Sequence, residues 1–132
     1  MQLIDHVSIT VDDIGRARPF YDAVMAALHV VRIGERADWL GYGERCRDDD
    51  DGHSYLSVRL GPPSQAVAST HWCFKAASRA DVDLFWRAGT GNGGTCDGPP
   101  GLRDYHPHYY AAFLIDPAGN RLEAVCHKKA DR

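Results

Sequence analysis

Polar and apolar residues alternate in two short segments of the chain. From residue 6 to 11, and again from 71 to 76, every second residue is apolar and each segment begins with a histidine. Strict alternation is typical of a β-strand that has one face against a core. We therefore predict two strands whose polar faces carry His6 and His71. One face of each strand holds Ile4, His6, Ser8 and Thr10, or His71, Cys73 and Lys75; the opposite face holds Val7, Ile9 and Val11, or Trp72, Phe74 and Ala76.

A segment with helical periodicity follows each strand. In the first, Pro19 lacks a backbone N–H, which predicts that the regular helix begins near Ala17 or kinks at the proline. In the second, residues 78–81 (Ser-Arg-Ala-Asp) resemble a capping box, and Gly89 is a suitable end for the helix.

The two halves of the chain align with an offset of 65 positions, which pairs His6 with His71, Phe20 with Phe85 and Tyr21 with Trp86. After each helix the pattern predicts three more strands, at roughly 29–34, 38–44 and 54–60, and at roughly 94–98, 108–116 and 121–127. We expect an α+β fold of two βαβββ modules that form a curved mixed sheet around a cleft. The single domain would span 1–132, with modules at about 1–62 and 66–128, joined near Gly61-Pro62-Pro63-Ser64.

The composition fits a soluble globular protein, with 44% hydrophobic and 25% charged residues. A net charge of −3 without a basic stripe argues against nucleic-acid binding. The N-terminus does not resemble a signal peptide, and no apolar stretch approaches the roughly 20 residues of a membrane helix. The four cysteines lack CxxC spacing, so we expect free thiols in the cytoplasm.

A carboxylate on the last predicted strand completes a candidate metal site. Alternation places Arg121, Glu123, Val125 and His127 on one face, opposite a small apolar set that should pack under the helix. If both sheets curve around one cleft, Glu123 enters it together with His6 and His71. Two imidazoles and one carboxylate suit a divalent Zn, Mn, Fe, Ni or Co ion and leave positions open for substrate. Each of these residues alone would more simply be an exposed strand residue; the equivalence of the two histidines in a repeat favours the site.

Several segments of the chain resemble the vicinal oxygen chelate superfamily, which includes glyoxalase I, fosfomycin-resistance enzymes, extradiol dioxygenases and bleomycin-binding proteins. The segment 109–125 resembles it most specifically, since it contains Asp-Pro-x-Gly-Asn followed by x-x-Glu. The other segments are Ile4-Asp5-His6-Val7, Phe20-Tyr21, His71 and Val82-Asp83-Leu84-Phe85. The resemblance implies paired βαβββ modules, often in a homodimer, with His6, His71 and Glu123 as metal ligands.

Glyoxalase I has a fourth metal ligand on the last strand of its first module, and this chain departs from that pattern. Its corresponding segment, residues 54–60, contains no carboxylate, and His53 would reach the site only if the register slipped. Because the carboxylate of glyoxalase I also moves the proton, its absence argues against true glyoxalase I activity. The ligand pattern is closer to that of the fosfomycin-resistance type. Extradiol dioxygenases use the same three ligands in a longer, doubled chain.

Other residues are candidates for a role in the cleft. Tyr105, His106 and His108 would lie at its mouth, where a histidine could act as acid or base near neutral pH, although a surface loop with aromatic packing is the simpler interpretation. Trp39, Tyr42 and Tyr55 would line the pocket or belong to the core. The run Asp48–Asp51 is expected to be a solvated loop.

Two classes of function follow from this sequence. The first is a metal-dependent enzyme that acts on a small molecule with adjacent oxygens, through lyase or isomerase-like, transferase or ring-opening oxygenase chemistry. The second is a metal-free protein that sequesters a drug, as bleomycin-resistance proteins do. The presence of all three ligand residues favours the enzyme.

Overall fold

The computed structural model describes residues 3–62 and 70–130, and within them the element order βαβββ occurs twice. Pro63 and Ser64 of the expected junction lie outside the described residues. The first module contains β1 (His6–Val11), α1 (Ile14–Ala27), β2 (Arg32–Arg36), β3 (Trp39–Gly43) and β4 (Tyr55–Leu60). The second contains β5 (His71–Lys75), α2 (Arg79–Gly91), β6 (Thr95–Leu102), β7 (Tyr110–Ile115) and β8 (Arg121–Cys126). The α+β fold of two repeated modules is confirmed, and most strand ends differ from the predicted ones by one to four residues.

Each module forms its own four-stranded mixed sheet. The strand orders are β1-β4-β3-β2 and β5-β8-β7-β6, so β1 and β5 occupy equivalent edges. In both sheets the first strand is parallel to the last and the other pairs are antiparallel. The two repeated modules with mixed sheets agree with the predicted fold, and within the described part of the chain each module has its own sheet.

Of the two alternatives for α1, a start near Ala17 is wrong, because the helix begins at Ile14, three residues earlier; a kink at Pro19 stays a prediction. Asp13 is its N-cap, and the carboxylate accepts a hydrogen bond of 3.0 Å from the backbone N–H of Arg16. Pro19 therefore lies inside the helix, where it leaves the carbonyl of Gly15 without its usual donor. The expected start was too late because it was set by Pro19, whereas the cap at Asp13 and the apolar positions Ile14 and Ala17 define a helical turn before the proline.

The helix α2 begins as predicted and ends two residues later than expected. The hydroxyl of Ser78 accepts a hydrogen bond of 3.1 Å from the N–H of Asp81, whose carboxylate lies 3.1 Å from His29 of the first module. Gly89 lies inside the helix, at a position where any side chain would collide with its neighbours. An added Cβ would lie 2.3 Å from Leu114 and 3.2 Å from Val24 of α1. The glycine therefore allows close packing between the modules.

One hydrophobic core joins the two modules, because α1 packs against α2 and both helices cover the apolar faces of their sheets. The equivalent residues Phe20 and Phe85 are both fully buried. Tyr42 belongs to this core, with its hydroxyl donating to Asp22 at 2.8 Å, and so it lines the helix side of the sheet. The aspartates at 48–51 are exposed, as expected. No helix among the described residues is long and apolar enough to cross a membrane.

Candidate metal centre

His71 and Glu123 meet on the polar face of the second sheet. The parallel register of β5 and β8 pairs Cys73 with Glu123, so His71, one pleat away, points to the same side. The Nε2 atom of His71 lies 3.1 Å from Oε1 of Glu123. The imidazole is about half exposed, whereas only 3% of Glu123 is accessible. His71 and Glu123 therefore lie on the face of the sheet that was predicted for them.

Tyr109 holds the second oxygen of the same carboxylate. Its hydroxyl donates a hydrogen bond of 2.6 Å to Oε2 of Glu123. Desolvation, together with this hydrogen bond and the negative charge of Glu123, raises the pKa of Tyr109 above its ordinary value. The tyrosine thus keeps its proton and fixes the orientation of the carboxylate. The sequence placed Tyr109 within a predicted strand at 108–116 and near the mouth of the cleft, but it did not indicate that this tyrosine would bind Glu123.

The spacing of His71 and Glu123 fits two ligands of one metal ion. Two bonds of about 2.0–2.2 Å at angles between roughly 90° and 110° place the ligand atoms about 2.8–3.6 Å apart. The observed separation of 3.1 Å lies in that range. Tyr109 supplies the kind of hydrogen bond behind the ligand that orients a metal-binding carboxylate. The chemistry and the spacing of this pair are therefore suitable for a divalent cation.

His6 lies on the polar face of the first sheet and does not join the other two residues within one chain. Its Nδ1 atom is 2.7 Å from Asp5, and its ring stacks on Tyr55 with the centroids 4.9 Å apart. The hydrogen bond from His6 lowers the pKa of Asp5. Among residues 3–62 and 70–130, no group of three or more His, Cys, Asp or Glu side chains is arranged to hold a metal ion. The three-ligand site therefore remains a prediction, and its two halves lie in different modules.

Ser57 occupies the place in the first module that Glu123 occupies in the second. In the parallel ladders, Ser57 pairs with Ser8, and Glu123 pairs with Cys73. Ser8 and Cys73 each come two residues after the histidine that begins their strand. The hydroxyl of Ser57 is buried and accepts a hydrogen bond from the indole of Trp39 at 3.2 Å. His53 lies before the strand, 3.3 Å from Glu44 and 3.1 Å from Asp50. The register thus places a serine where a fourth ligand would stand.

The loop before β7 brings two of the predicted catalytic residues close to Tyr109. The ring centroid of Tyr109 lies 4.8 Å from that of Tyr105 and 5.5 Å from that of His106. His106 also makes a hydrogen bond of 2.9 Å to His127, which follows β8 on the face of Glu123. His108 contributes its backbone N–H to Nδ1 of His106. These contacts connect the loop to the carboxylate, and the catalytic roles of Tyr105, His106 and His108 stay predictions.

The environment of Cys73 leads to a prediction about its reactivity. Desolvation and the nearby charge of Glu123 raise the pKa of its thiol to about 12. The fraction of reactive thiolate near neutral pH is therefore small, and the greater nucleophilicity of a more basic thiolate offsets only part of the loss. Both Cys73 and Cys96 are exposed, so access to the reagent is similar. In metal-free protein at pH 8, we expect iodoacetamide to alkylate Cys73 roughly 10- to 100-fold more slowly than Cys96, as followed by peptide mass spectrometry.

The Glu123→Gln variant is the control for this experiment. It removes the negative charge and keeps the shape of the side chain, so alkylation of Cys73 should become faster while that of Cys96 stays unchanged. Equal rates at both cysteines in the wild-type protein would show that Glu123 does not suppress the thiolate.

All four cysteines are free thiols, in agreement with the sequence-based expectation.

Comparisons with known proteins give a consistent result. The family model described as Glyoxalase/Bleomycin resistance protein/Dioxygenase superfamily matches residues 3–124. Among solved structures, the chain is similar to a glyoxalase/bleomycin resistance protein from Albidiferax ferrireducens T118, with 28% identity and a TM-score of 0.78 over 96% of this chain and 100% of that chain. Among curated proteins none matches.

Two more distant structures support the fold alone. One is a glyoxalase/bleomycin resistance protein/dioxygenase family enzyme from Burkholderia phytofirmans PsJN, with 18% identity and a TM-score of 0.69 over 94% of this chain and 98% of that chain. The other is a glyoxalase-related enzyme from Fulvimarina pelagi, with 14% identity and a TM-score of 0.68 over 96% of this chain and 88% of that chain.

Proposed function

Because the chain belongs to the glyoxalase/bleomycin resistance protein/dioxygenase superfamily, we propose that it is a metal-dependent enzyme acting on a small substrate with adjacent oxygen atoms. Its ligands would be His6, His71 and Glu123, and its chemistry would be of the lyase or isomerase-like or the transferase type. The observation that carries the proposal is the 3.1 Å contact between His71 and the buried carboxylate of Glu123. A buried carboxylate that is held by two polar partners, one of them a half-exposed imidazole, suits a metal site.

The third ligand would come from a second copy of the chain. Within one chain His6 does not join His71 and Glu123, whereas β1 and β5, the strands that carry the histidines, both lie at sheet edges. In a symmetric homodimer the polar face of the first sheet of one chain would oppose that of the second sheet of the other. Each of the two clefts would then receive His6 from one chain and the His71–Glu123 pair from its partner.

The chemistry of such a site follows from its residues. A bound divalent cation would supply Lewis acidity toward two adjacent substrate oxygens and stabilise the negative charge that develops there. Tyr109 would keep Glu123 oriented through its hydrogen bond. His106, which is hydrogen-bonded to His127, would be the proton-transferring residue of the site. Ser57 at the fourth position supports a three-ligand set and argues against the glyoxalase I reaction, which needs a carboxylate base there. The four free cysteines support a cytoplasmic location.

Complementation between two inactive chains tests the shared site. We expect the wild-type protein to bind about one divalent ion per chain, and the homodimers of His6→Ala and of Glu123→Gln to bind little. A heterodimer of these variants, purified through two different affinity tags, contains one intact site and one site that lacks both residues. It should therefore bind about one ion per two chains, as measured by elemental analysis.

Two results would contradict the proposal in different ways. A heterodimer without metal, alongside a wild-type protein that binds it, would show that the site is not shared between chains. A wild-type protein that binds no divalent ion but takes up a bleomycin-like drug would favour the alternative of drug sequestration.

A further inference from the structure

The polar face of the first sheet carries a rigid aromatic floor. The indole of Trp39 lies across Gly34 and Gly41, where an added Cβ would come within 2.8 Å and 2.3 Å of the ring. Its Nε1–H donates a hydrogen bond of 3.2 Å to the buried hydroxyl of Ser57. The two glycines and this hydrogen bond therefore fix the position of the indole, and Tyr55 lies beside it on the same face.

Two guanidinium groups are held above this floor. The Cζ atom of Arg45 lies 5.6 Å from the ring centroid of Trp39 and 4.6 Å from that of Tyr55. The Cζ atom of Arg36 lies 5.6 Å from the same Trp39 ring. These four residues, Arg36, Trp39, Arg45 and Tyr55, are called here the arginine platform. Cation–π contact stabilises the two cations, while their N–H donors remain suited to a carboxylate or phosphate.

The platform lacks a negative partner within the described part of the chain. Neither Arg36 nor Arg45 forms an ion pair there, in contrast to Arg18, Arg32 and Arg121, each of which contacts a carboxylate. Two like charges over one ring repel each other, and a bound anion would remove that repulsion. This concentration of positive charge is unexpected in a chain whose net charge is −3.

The face of the second sheet would not neutralise the platform in the proposed dimer. It carries Lys75 and Arg103, and its carboxylates are already bonded, Glu123 to His71 and Tyr109, and Asp97 to Arg121. The charge of both cleft walls therefore favours a small anionic molecule over a cationic one. Such a molecule would have to come from solution.

We infer that the arginine platform binds the anionic group, a carboxylate or phosphate, of the substrate. The identification of the bound molecule as the substrate rests on the proposed function. The geometry connects the platform with the proposed metal site. Tyr55 contacts Arg45 on one side and stacks on His6 on the other. Only the ring of Tyr55 therefore separates an anionic group on the platform from His6, the predicted metal ligand. The substrate class is a small organic acid or phosphate ester with adjacent oxygens, and a cationic drug does not fit this surface.

Titration of metal-free protein with inorganic phosphate tests the platform directly. At constant ionic strength, we expect the indole N–H cross-peak of Trp39 to shift saturably in a two-dimensional NMR spectrum, while those of Trp72 and Trp86 stay in place. Acetate, in a parallel titration, shows whether a carboxylate binds as well. Arg36→Gln and Arg45→Gln should each weaken binding about tenfold or more, because a charge-assisted hydrogen bond is lost.

Matched variants separate local binding from general charge effects. Arg87→Gln, which removes an exposed arginine from α2, should bind phosphate as the wild-type protein does. A linear shift without saturation, equal weakening in Arg87→Gln, or a saturable response to tetraethylammonium with none to either anion would overturn the inference. Glu123→Gln distinguishes this failure from failure of the proposed function. It should keep phosphate binding and lose metal binding, whereas Arg45→Gln should keep metal binding.

Discussion

Replacement of Glu123 by glutamine is expected to weaken metal binding by about 1000-fold or more. Mutation of groups that only support a ligand lowers affinity by roughly 10- to 100-fold, and loss of the charged ligand itself should cost more. Glutamine keeps the volume of the side chain and can still bond to His71 and Tyr109, so the buried site should remain packed. Competition with a fluorescent chelator measures the affinity, and thermal unfolding of the metal-free protein shows whether the fold is intact.

Tyr109→Phe is the matched control for that variant. It removes the hydrogen bond of 2.6 Å to Oε2 but leaves the charge of Glu123 in place. Metal affinity should therefore fall only by about 10- to 100-fold, as expected for a group behind the ligand. Wild-type affinity in Glu123→Gln would rule out this carboxylate as a ligand. Equal losses in both variants would indicate that a distorted site, and not a missing charge, explains the effect.

The repeat was the most informative feature of the sequence. Its offset of 65 positions places His6 and His71 at the start of two strands. The starts of the helices, Ile14 and Arg79, are also 65 residues apart, an agreement that the expected helix start near Ala17 did not use. Alternation assigned the faces of β1 and β8 correctly, because a period of two leaves only two choices. Local pattern therefore determined the modules and the direction of the side chains.

Contacts between the modules could not be predicted in the same way. Whether His6 meets His71 depends on how two sheets associate, and neither alternation nor helical periodicity contains that information. The arginine platform was missed for a related reason. Arg45 lies outside a regular strand, and only the folded loop brings it above Trp39 and Tyr55. Tyr42 was ambiguous because an aromatic residue with a polar tip suits a pocket and a core equally well.

The motif at 116–120, which resembles the superfamily most specifically, serves the fold. Asp116 is buried, and its Oδ1 atom accepts hydrogen bonds from the backbone N–H groups of Ala118 and Asn120. Its Oδ2 atom accepts from the side chain of Asn120 and from the hydroxyl of Tyr21 in α1. The side chain of Asn120 also donates to the carbonyl of Thr10 at the end of β1. The turn thus joins the second module to the first.

Asp116→Ala should therefore cost about 2–4 kcal/mol of the free energy of unfolding, because it leaves the buried hydroxyl of Tyr21 and several partly buried donors without an acceptor. Burial and the neighbouring carboxylate raise the pKa of Tyr21 well above its ordinary value, so its hydroxyl remains a donor throughout the neutral range. Tyr21→Phe removes only one of the hydrogen bonds and should cost about 1–2 kcal/mol. Urea unfolding measures both losses, with circular dichroism as the signal.

The double variant identifies the source of these losses. If the bond between Tyr21 and Asp116 couples α1 to the turn, the loss in Asp116→Ala/Tyr21→Phe should be smaller than the two single losses together, since both changes remove the same bond. Strict additivity would show that the two side chains stabilise the protein independently. A loss below about 1 kcal/mol in Asp116→Ala would mean that water replaces the carboxylate, and that packing of α1 against α2 holds the modules together without this turn.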